Sequence, residues 1–514
     1  MRIWTGRAGS GKTTAILREI AALSERGEGR QILLVPELNS HLMERRLAAA
    51  THNHGARTAE VLTFSRLADR VFSEVGGLAQ QMLTPAGQLL TLQEAARRVQ
   101  GGLSAWKGLA DKPELLQEAL RLIDECKTCA VAPEALFAAA EESEDAVLAE
   151  KLSDLAQILT AYERLCEESL PDPRDRLTHL RDRLAESHTL DGAAVYLDGF
   201  LGFTVQESAV VDAMLAAGVP LSAAVTCDTD YPEIFLTGCK TVQKLTRMAK
   251  HHNQTVERIE LGESKVTRPA GLAALERESL LPVRTPQESA DGVRLYEAAS
   301  PFDECEHAAA YIRRKVRDEG ARCRDFVVAA RDIEPYSAFL AMAMARYDIP
   351  VFLAEKPDLL SRPPMALVTN ALEAVRNYFR YEDLFSCLKT GLAGLDWDEI
   401  DKLENYVLTW NIRGGAWERE WTEHPDGYGL SIDENAKAQL AELNTLRKRA
   451  IAPFSALREA LAGEQPAGDC VRALYAFLLA VDAPQRMIDR AAGHEQAGRL
   501  QLADEYRQLW EILV

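Results

Sequence analysis

Gly6-Arg7-Ala8-Gly9-Ser10-Gly11-Lys12-Thr13 is a complete G-x-x-x-x-G-K-[ST] phosphate loop close to the N-terminus, and Thr14 follows it. Ile3 and Trp4 supply a short apolar strand before it, and Thr14–Ile20 reads as a helix after it. That strand–loop–helix context is what gives the motif meaning. Its glycines let successive backbone N–H groups turn toward the phosphates of ATP, where the helix N-terminus adds partial positive charge. Lys12 is expected to neutralise phosphate charge and the Thr13 hydroxyl to ligate Mg²⁺. Nucleotide binding follows from the loop; hydrolysis needs more than the loop.

Outward from this point the chain alternates strand and helix. Gln31-Ile32-Leu33-Leu34-Val35 is a continuous apolar run ending at Pro36, the texture of a strand buried on both faces. A helix is expected from about Asn39 to Ala50, a third strand over Thr58–Thr63, and its helix over Phe64–Val75, closed by Gly76-Gly77. From about 80 to 190 apolar residues recur at helical spacing and β-branched runs disappear, which predicts an insertion of four to six helices. Strands resume at Ala194–Leu197 and Leu221–Thr226. The fold class expected is therefore α/β: a P-loop, RecA-like parallel sheet built from residues 1–79 and 191–262, interrupted by a helical insertion at 80–190.

Residues 262–290 are polar and Pro-bearing, a linker on this reading. A second, partial RecA-like unit is expected over 291–380, with strands at Val293–Tyr296, Phe326–Ala330 and Ile349–Leu353 and helices between them. Ser300-Pro301-Phe302-Asp303 carries an N-cap, a first-turn proline and an early acid. Beyond Tyr381 the chain is expected to be helical to residue 514, and its uncapped last helix suggests a chain cut short, an N-terminal fragment.

Composition bounds the remaining classes. The 514 residues carry 59 Lys+Arg against 78 Asp+Glu, a net charge of −19, which argues mildly against a nucleic-acid binder without excluding a local basic channel. Nine cysteines in a chain this long make no disulfide scaffold, and the lone C-x-x-C, Cys126 and Cys129, lacks the second pair a four-ligand metal site needs. No secretory signal or membrane-length apolar run is present, so a cytoplasmic protein with no membrane partner is expected. Trp397, Trp410, Trp417 and Trp421 concentrate in the C-terminal helical region and are expected as core or subunit interface; His52 and His54 are expected as solvated loop residues.

A P-loop motor needs a second acidic motif: one Asp for Mg²⁺ and an adjacent Glu to activate water. The first strand after the insertion ends in Tyr196-Leu197-Asp198-Gly199-Phe200-Leu201-Gly202-Phe203-Thr204-Val205-Gln206. Asp198 fits the metal role, but Gly199 has no side chain with which to act as a base. Superfamily 1 helicases of the UvrD type carry strand–Asp-Glu-Phe-Gln-Asp-x-x-x-x-Gln here, and this chain keeps Asp198, Phe200 and Gln206 in that register. The Asp-Gly-Phe-x-Gly-Phe-Thr pattern resembles the AddB family, the non-motor subunits of AddAB helicase–nucleases. Leu34-Val35-Pro36-Glu37, Thr63–Ala68, Tyr347–Pro350, Leu388–Leu392 and Leu403–Val407 are similar to further blocks of that family, in order along nearly the whole chain.

The resemblance implies a silent helicase core that binds ATP and Mg²⁺, guides single-stranded DNA and docks on the motor subunit AddA, in a complex that unwinds and resects double-stranded DNA ends for recombination. Two departures from active helicases agree with a silent motor. The chain opens on its first strand without an upstream adenine-reading Gln segment, and Cys227-Asp228-Thr229-Asp230 stands where active relatives have Gly-Asp-x-x-Gln. Turnover is then expected to be negligible with phosphate binding intact.

For DNA, the resemblance points to the segments after strands two and three and to the Asp-Gly-Phe motif, through which such subunits read the hotspot Chi. Here those stretches offer Leu38, Ser40, Phe64, Ser65, Arg66, Phe200 and Phe203, with Phe64 stacking on a base and Arg66 pairing with a phosphate or base edge. Packing of Phe64 under its own helix is the plainer alternative. Leu38 replaces the family's Gln, and Asp69, where an aromatic is common, is expected to repel phosphate. The family's C-terminal nuclease domain and its iron–sulfur cluster are implied for a later part of the chain; no Gly-x-x-x-Arg-x-Asp signature occurs before Val514. The rivals are a self-sufficient P-loop ATPase or helicase using an acid such as Glu207, and a scaffold whose phosphate loop stays empty.

Overall fold

The computed structural model describes residues 1–51, 58–262, 265–278, 289–353 and 359–513, so His52 and His54 lie outside the described residues. The chain divides into two units, Met1–Leu295 and Tyr296–Val514.

The first unit begins β1 (Arg2–Gly6), α1 (Lys12–Arg26), β2 (Arg30–Leu34), α2 (Ser40–Ala50), β3 (Ala59–Leu62) and α3 (Phe64–Val75). Five α-helices follow: α4 (Pro85–Val99), α5 (Pro113–Thr128), α6 (Pro133–Glu142), α7 (Ala146–Glu168) and α8 (Arg176–Arg183). The chain then re-enters the sheet with β4 (Ala193–Leu197), α9 (Val205–Ala216), β5 (Leu221–Thr226), α10 (Leu236–His251) and β6 (Glu257–Glu260), and α11 (Ala270–Glu278) ends the unit's helices. The six strands form one sheet in the order β3-β2-β4-β5-β1-β6, and every neighbouring pair is parallel.

Alternation along the strands explains the layering. Ile32, Leu34, Val195, Leu197, Ala223 and Val225 pack with α3, α9 and α10 on one face. Leu33, Tyr196, Trp4 and Ala224 meet Ile16, Ile20, Met43 and Leu47 of α1 and α2 on the other. The inserted helices have a core of their own around Leu92, Ile123, Ile158, Leu159 and Tyr162. Asp172, fully buried beside it, accepts from Gln88 Nε2 (2.8 Å), Tyr162 Oη (3.0 Å) and the Arg174 amide (2.9 Å), with Lys127 Nζ 3.5 Å away.

Two features were not foreseen from sequence. β6 is a sixth strand, and α11 forms within the stretch expected as linker. Among the described residues β6 (Glu-Arg-Ile-Glu) pairs only with β1 and is largely exposed, so it carries charge instead of an apolar run, as edge strands do.

The second unit contains α12 (Pro301–Glu319), α13 (Glu334–Arg346), α14 (Pro363–Arg376), α15 (Tyr381–Leu388), α16 (Trp397–Trp410), α17 (Glu434–Ala460), α18 (Ala467–Ala480), α19 (Ala483–Gln496) and α20 (Leu500–Leu513). The Ser300 hydroxyl caps α12 by accepting from the Asp303 amide at 3.3 Å. The strands expected at Val293–Tyr296, Phe326–Ala330 and Ile349–Leu353 are a correction: among the described residues these segments join no ladder. Phe326 and Leu353 pack against the α12–α13 core, whereas Leu295, Val327 and Phe352 are at least nine-tenths exposed. Apolar composition makes a buried strand only when neighbours supply backbone partners on its edges and cover on both faces. Trp417 and Trp421 lie in the helical core of this unit, with Trp421 stacked on Tyr406 at 4.6 Å; Trp397 is exposed.

Candidate nucleotide-binding site

β1 delivers the chain to the carboxyl edge of the sheet at Gly6, and α1 starts at Lys12, so Gly6–Gly11 wraps the helix N-terminus. Gly9 and Gly11 hold φ of +78° and +94°, values at which a Cβ is strained. A Cβ on Gly6 would lie 2.6 Å from Ser10 Oγ. The loop is thus a glycine-dependent curl, with Ala8 and Ser10 completing it and Thr14 inside the first turn of α1.

Lys12 is buried, and its ammonium donates to the Gly6 and Arg7 carbonyls at 2.8 Å each. Burial lowers its pKa, with the charge of Asp198 opposing. Asp198 stands at the end of β4, separated from β1 by β5 alone, and is 4 % exposed. Burial raises its pKa; hydrogen bonds from the Thr13 hydroxyl and the Gly199 amide, and the charges of Arg46 and Lys12, oppose the rise. Each group is held in a place that disfavours its own charge. An Mg²⁺–triphosphate pair answers both needs, giving the ammonium an anion and the carboxylate a cation. Thr13, at the start of α1, and Asp198, at the end of β4, are the residues that would hold Mg²⁺, with phosphate oxygens and water completing a shell that this ion rarely takes wholly from protein. Among the described residues no group of three or more His, Cys, Asp or Glu side chains forms a separate metal site.

The loop is also stapled from both sides. Arg7 Nε meets Asp228 Oδ2 at 2.5 Å, and its guanidinium lies 4.9 Å from the Tyr231 ring centre. Burial works against the charge of Arg7, but Asp228 outweighs it and raises the pKa. On the far side the Lys265 amide donates to the Gly9 carbonyl at 2.9 Å. This bracing role of Asp228 is not legible in the sequence: only the adjacency of β1 and β5 brings it to Arg7.

Gly199 follows Asp198 at φ +85°. Glu207, the rival acid, is occupied at the start of α9, where its carboxylate accepts from the Thr204 amide (2.8 Å) and its amide donates to the Thr204 hydroxyl (3.1 Å). Gln206 turns toward the inserted helices, donating to the Arg174 carbonyl at 2.9 Å.

The expected DNA-contacting residues divide by exposure. Phe64 is 6 % exposed and sits edge-on to Phe200 at 5.6 Å, and Phe200 sits 4.9 Å from Phe203. The stacking expected of Phe64 is corrected here: a ring enclosed in the sheet's core has no free face for a base, and Phe200 shares that enclosure. Phe203 is half-buried, while Ser65 and Arg66 are exposed. Arg66 is ion-paired with Glu44. Asp69 is likewise paired, with Arg176, so its charge does not stand alone before a phosphate.

An all-parallel sheet with a phosphate loop after β1 and a buried acid after β4 defines a P-loop, RecA-like α/β protein. A sequence profile described as "ADDB, N-terminal" matches residues 3–276, and the chain belongs to the AddB family. It is 32% identical over its full length to an ATP-dependent helicase/deoxyribonuclease subunit of Acetivibrio thermocellus, covering 46% of that protein. Proteins of the same name from Desulforamulus reducens and Thermoanaerobacter pseudethanolicus are 32% and 30% identical, again over the full chain and 46% of theirs. The chain thus spans about half the length of the curated relatives it matches. Among the described residues no helix is long and apolar enough to cross a membrane.

Proposed function

We propose that this chain is an inactivated helicase core of an AddAB-type helicase–nuclease, binding ATP–Mg²⁺ without turning it over and guiding single-stranded DNA beside the motor subunit AddA. The observation that carries this is the Asp198–Gly199 pair: the acid is kept and buried at the end of β4, while its neighbour offers no base. Bound Mg²⁺ would supply charge neutralisation between the phosphates. Lys12 and the loop amides bind and orient the triphosphate, and Asp198 and Thr13 fix the cation. With Glu207 engaged in capping α9, the reading of a self-sufficient ATPase loses the acid named for it.

The DNA path runs over exposed Ser65 and Arg66 and half-buried Phe203, with Phe64 and Phe200 as the apolar support beneath. Arg66 exchanges Glu44 for a phosphate when a strand arrives. Work on double-stranded ends, hotspot reading at Chi, nuclease activity, an iron–sulfur cluster and a cytoplasmic setting belong to the full-length assembly on this reading.

Equilibrium binding of a fluorescent ATP analogue and of labelled single-stranded oligomers to wild type, Lys12→Ala and Arg66→Ala tests both halves. Nucleotide affinity is expected to need Lys12, oligomer affinity to need Arg66, and steady-state ATP hydrolysis to stay at background. Robust hydrolysis abolished by Lys12→Ala overturns the inactive-core reading.

A further inference from the structure

We infer that Cys227 and Cys239 form a peroxide-sensitive disulfide site whose closure locks the phosphate loop through Arg7. The effect on nucleotide, though not the bond itself, rests on the nucleotide-binding reading above. Cys227 directly follows β5, and Cys239 lies early in α10. Both are reduced, with their Sγ atoms 3.0 Å apart. Backbone packing builds this approach: a Cβ on Gly238 would stand 2.0 Å from the Thr226 carbonyl oxygen. Any side chain at 238 would push α10 off the strand, so glycine there delivers the next residue's sulfur to Cys227. Disulfide sulfurs lie about 2.05 Å apart, so closure asks for a movement of about 1 Å.

The segment between the two cysteines is the one that holds Arg7. Asp228 takes its Nε at 2.5 Å, and the Tyr231 and Phe235 rings lie 4.9 and 5.9 Å from its guanidinium carbon. A bond between the sulfurs therefore closes a covalent ring that contains the Arg7 clamp. The Cys227 amide also donates to the Gly6 carbonyl at 3.4 Å, the same carbonyl that accepts from the Lys12 ammonium. Release of a triphosphate from a loop curled around it requires the loop to yield, and a ring-locked clamp yields less.

Cys239 is half-buried, whereas Cys227 is 2 % exposed and its thiol is pushed up to about 12 by burial and the neighbouring sulfur. Cys239 is accordingly the attacking group. Its thiolate breaks the O–O bond of hydrogen peroxide, forming a sulfenic acid and hydroxide, which takes up the proton that Cys239 gave up. The Cys227 sulfur then displaces the hydroxyl, S–O giving way to S–S, and the Cys227 thiol proton leaves with it as water. The two thiols lose two electrons and the peroxide is reduced to two waters. Excess thiol reductant reverses the bond.

The test treats the whole 514-residue chain with hydrogen peroxide, as wild type, Cys227→Ala, Cys239→Ser and Arg7→Ala, and maps linked cysteines by non-reducing peptide mass spectrometry. Wild type and Arg7→Ala are expected to yield the Cys227–Cys239 linked peptide and to lose it in dithiothreitol. Oxidation should raise the wild-type unfolding temperature by about 3–6 °C, a gain missing from both cysteine variants. Release of a fluorescent ATP analogue should slow about threefold or more after peroxide in wild type, and not in Cys239→Ser or Arg7→Ala. Peroxide that links Cys126 to Cys129, or leaves only sulfenic and sulfinic acids, without the Cys227–Cys239 peptide overturns the inference. A linked pair that releases nucleotide as fast as the reduced protein overturns the lock, and slowing that persists in Arg7→Ala overturns its route. Wild type that forms the bond yet binds no nucleotide refutes the nucleotide-binding reading and leaves the disulfide site standing.

Discussion

The loop after β1 and the loop after β4 lie at the same edge of the same sheet with β5 between them, and they differ in what they share with a working motor. The first keeps every glycine, lysine and threonine that a phosphate cradle requires, and Asp228 and Lys265 brace it from either side. The second keeps one acid and gives up the next, with the backbone closing onto Pro36 and Asn39 where a base would need room. On the reading proposed above, ground-state binding and transition-state chemistry are separable on one scaffold, because they are held by different loops.

The sharpest way to break this contrast is at Lys12. Lys12→Ala should cost about 10–100-fold in ATP affinity, the range for a lost charged hydrogen-bonding partner, as measured by titration calorimetry. A loss below twofold would mean that the intact loop is ornamental. Next comes the brace: Arg7→Ala leaves the carboxylate of Asp228 without its partner in a largely enclosed place and should cost about 1–3 kcal/mol by denaturant unfolding. The double-mutant cycle with Asp228→Ala should show non-additivity, and its absence would detach the brace from the loop.

Asp198→Asn sharpens the second loop. Because folding raises the pKa of Asp198, the folded chain holds a proton there more tightly than the unfolded chain. The ligand-free protein therefore loses stability from this group as pH climbs from the ordinary carboxylate value of about 3.9 toward the raised one. Asp198→Asn should abolish that loss, leaving ligand-free stability at neutral pH equal to or above wild type, while removing the Mg²⁺ dependence of ATP binding. In wild type that dependence should fade on acidification at a pH above the usual carboxylate range. Lower ligand-free stability in the variant would contradict the burial account.

The smallest effect is expected far from either loop, at exposed Glu74. Its carboxylate accepts from the Ser187 hydroxyl, the His188 amide and the Thr189 hydroxyl, which hold its pKa down to about 2. The contribution is complete above the ordinary glutamate value of about 4.3 and disappears as pH falls toward 2. Glu74→Gln should lower the unfolding temperature slightly at neutral pH and flatten its dependence on acid in that window. An unchanged acid profile would remove the assignment.

Where an element is covered on both faces, the sequence announces it: Ile32-Leu33-Leu34 in β2 and Val195-Tyr196-Leu197 in β4 are fully enclosed. β6 is illegible for the opposite reason, since an edge strand of Glu, Arg, Ile and Glu owes its pairing to β1 and not to its own composition. Phe326–Ala330 has the texture of β2 and no ladder among the described residues, so texture reports what a strand would bury and not whether partners are at hand. At the site, Lys12, Thr13 and Asp198 are legible because the chemistry fixes their residue types and spacing. The Arg7–Asp228 contact and the pairing of Asp69 with Arg176 join residues far apart in the chain, and Phe64 trades a surface role for a core one. Such facts belong to topology, which no local window contains.

The late return of β4 to the middle of the sheet has a consequence for synthesis. β2 is made early, yet one of its two edges finds its mate only after all five inserted helices and Leu197 have emerged from the ribosome. Until then a bare apolar ribbon, Gln31–Leu34, waits with open hydrogen-bonding groups, an invitation to wrong pairing that nascent-chain holdases or a fast-collapsing helical insertion must shield.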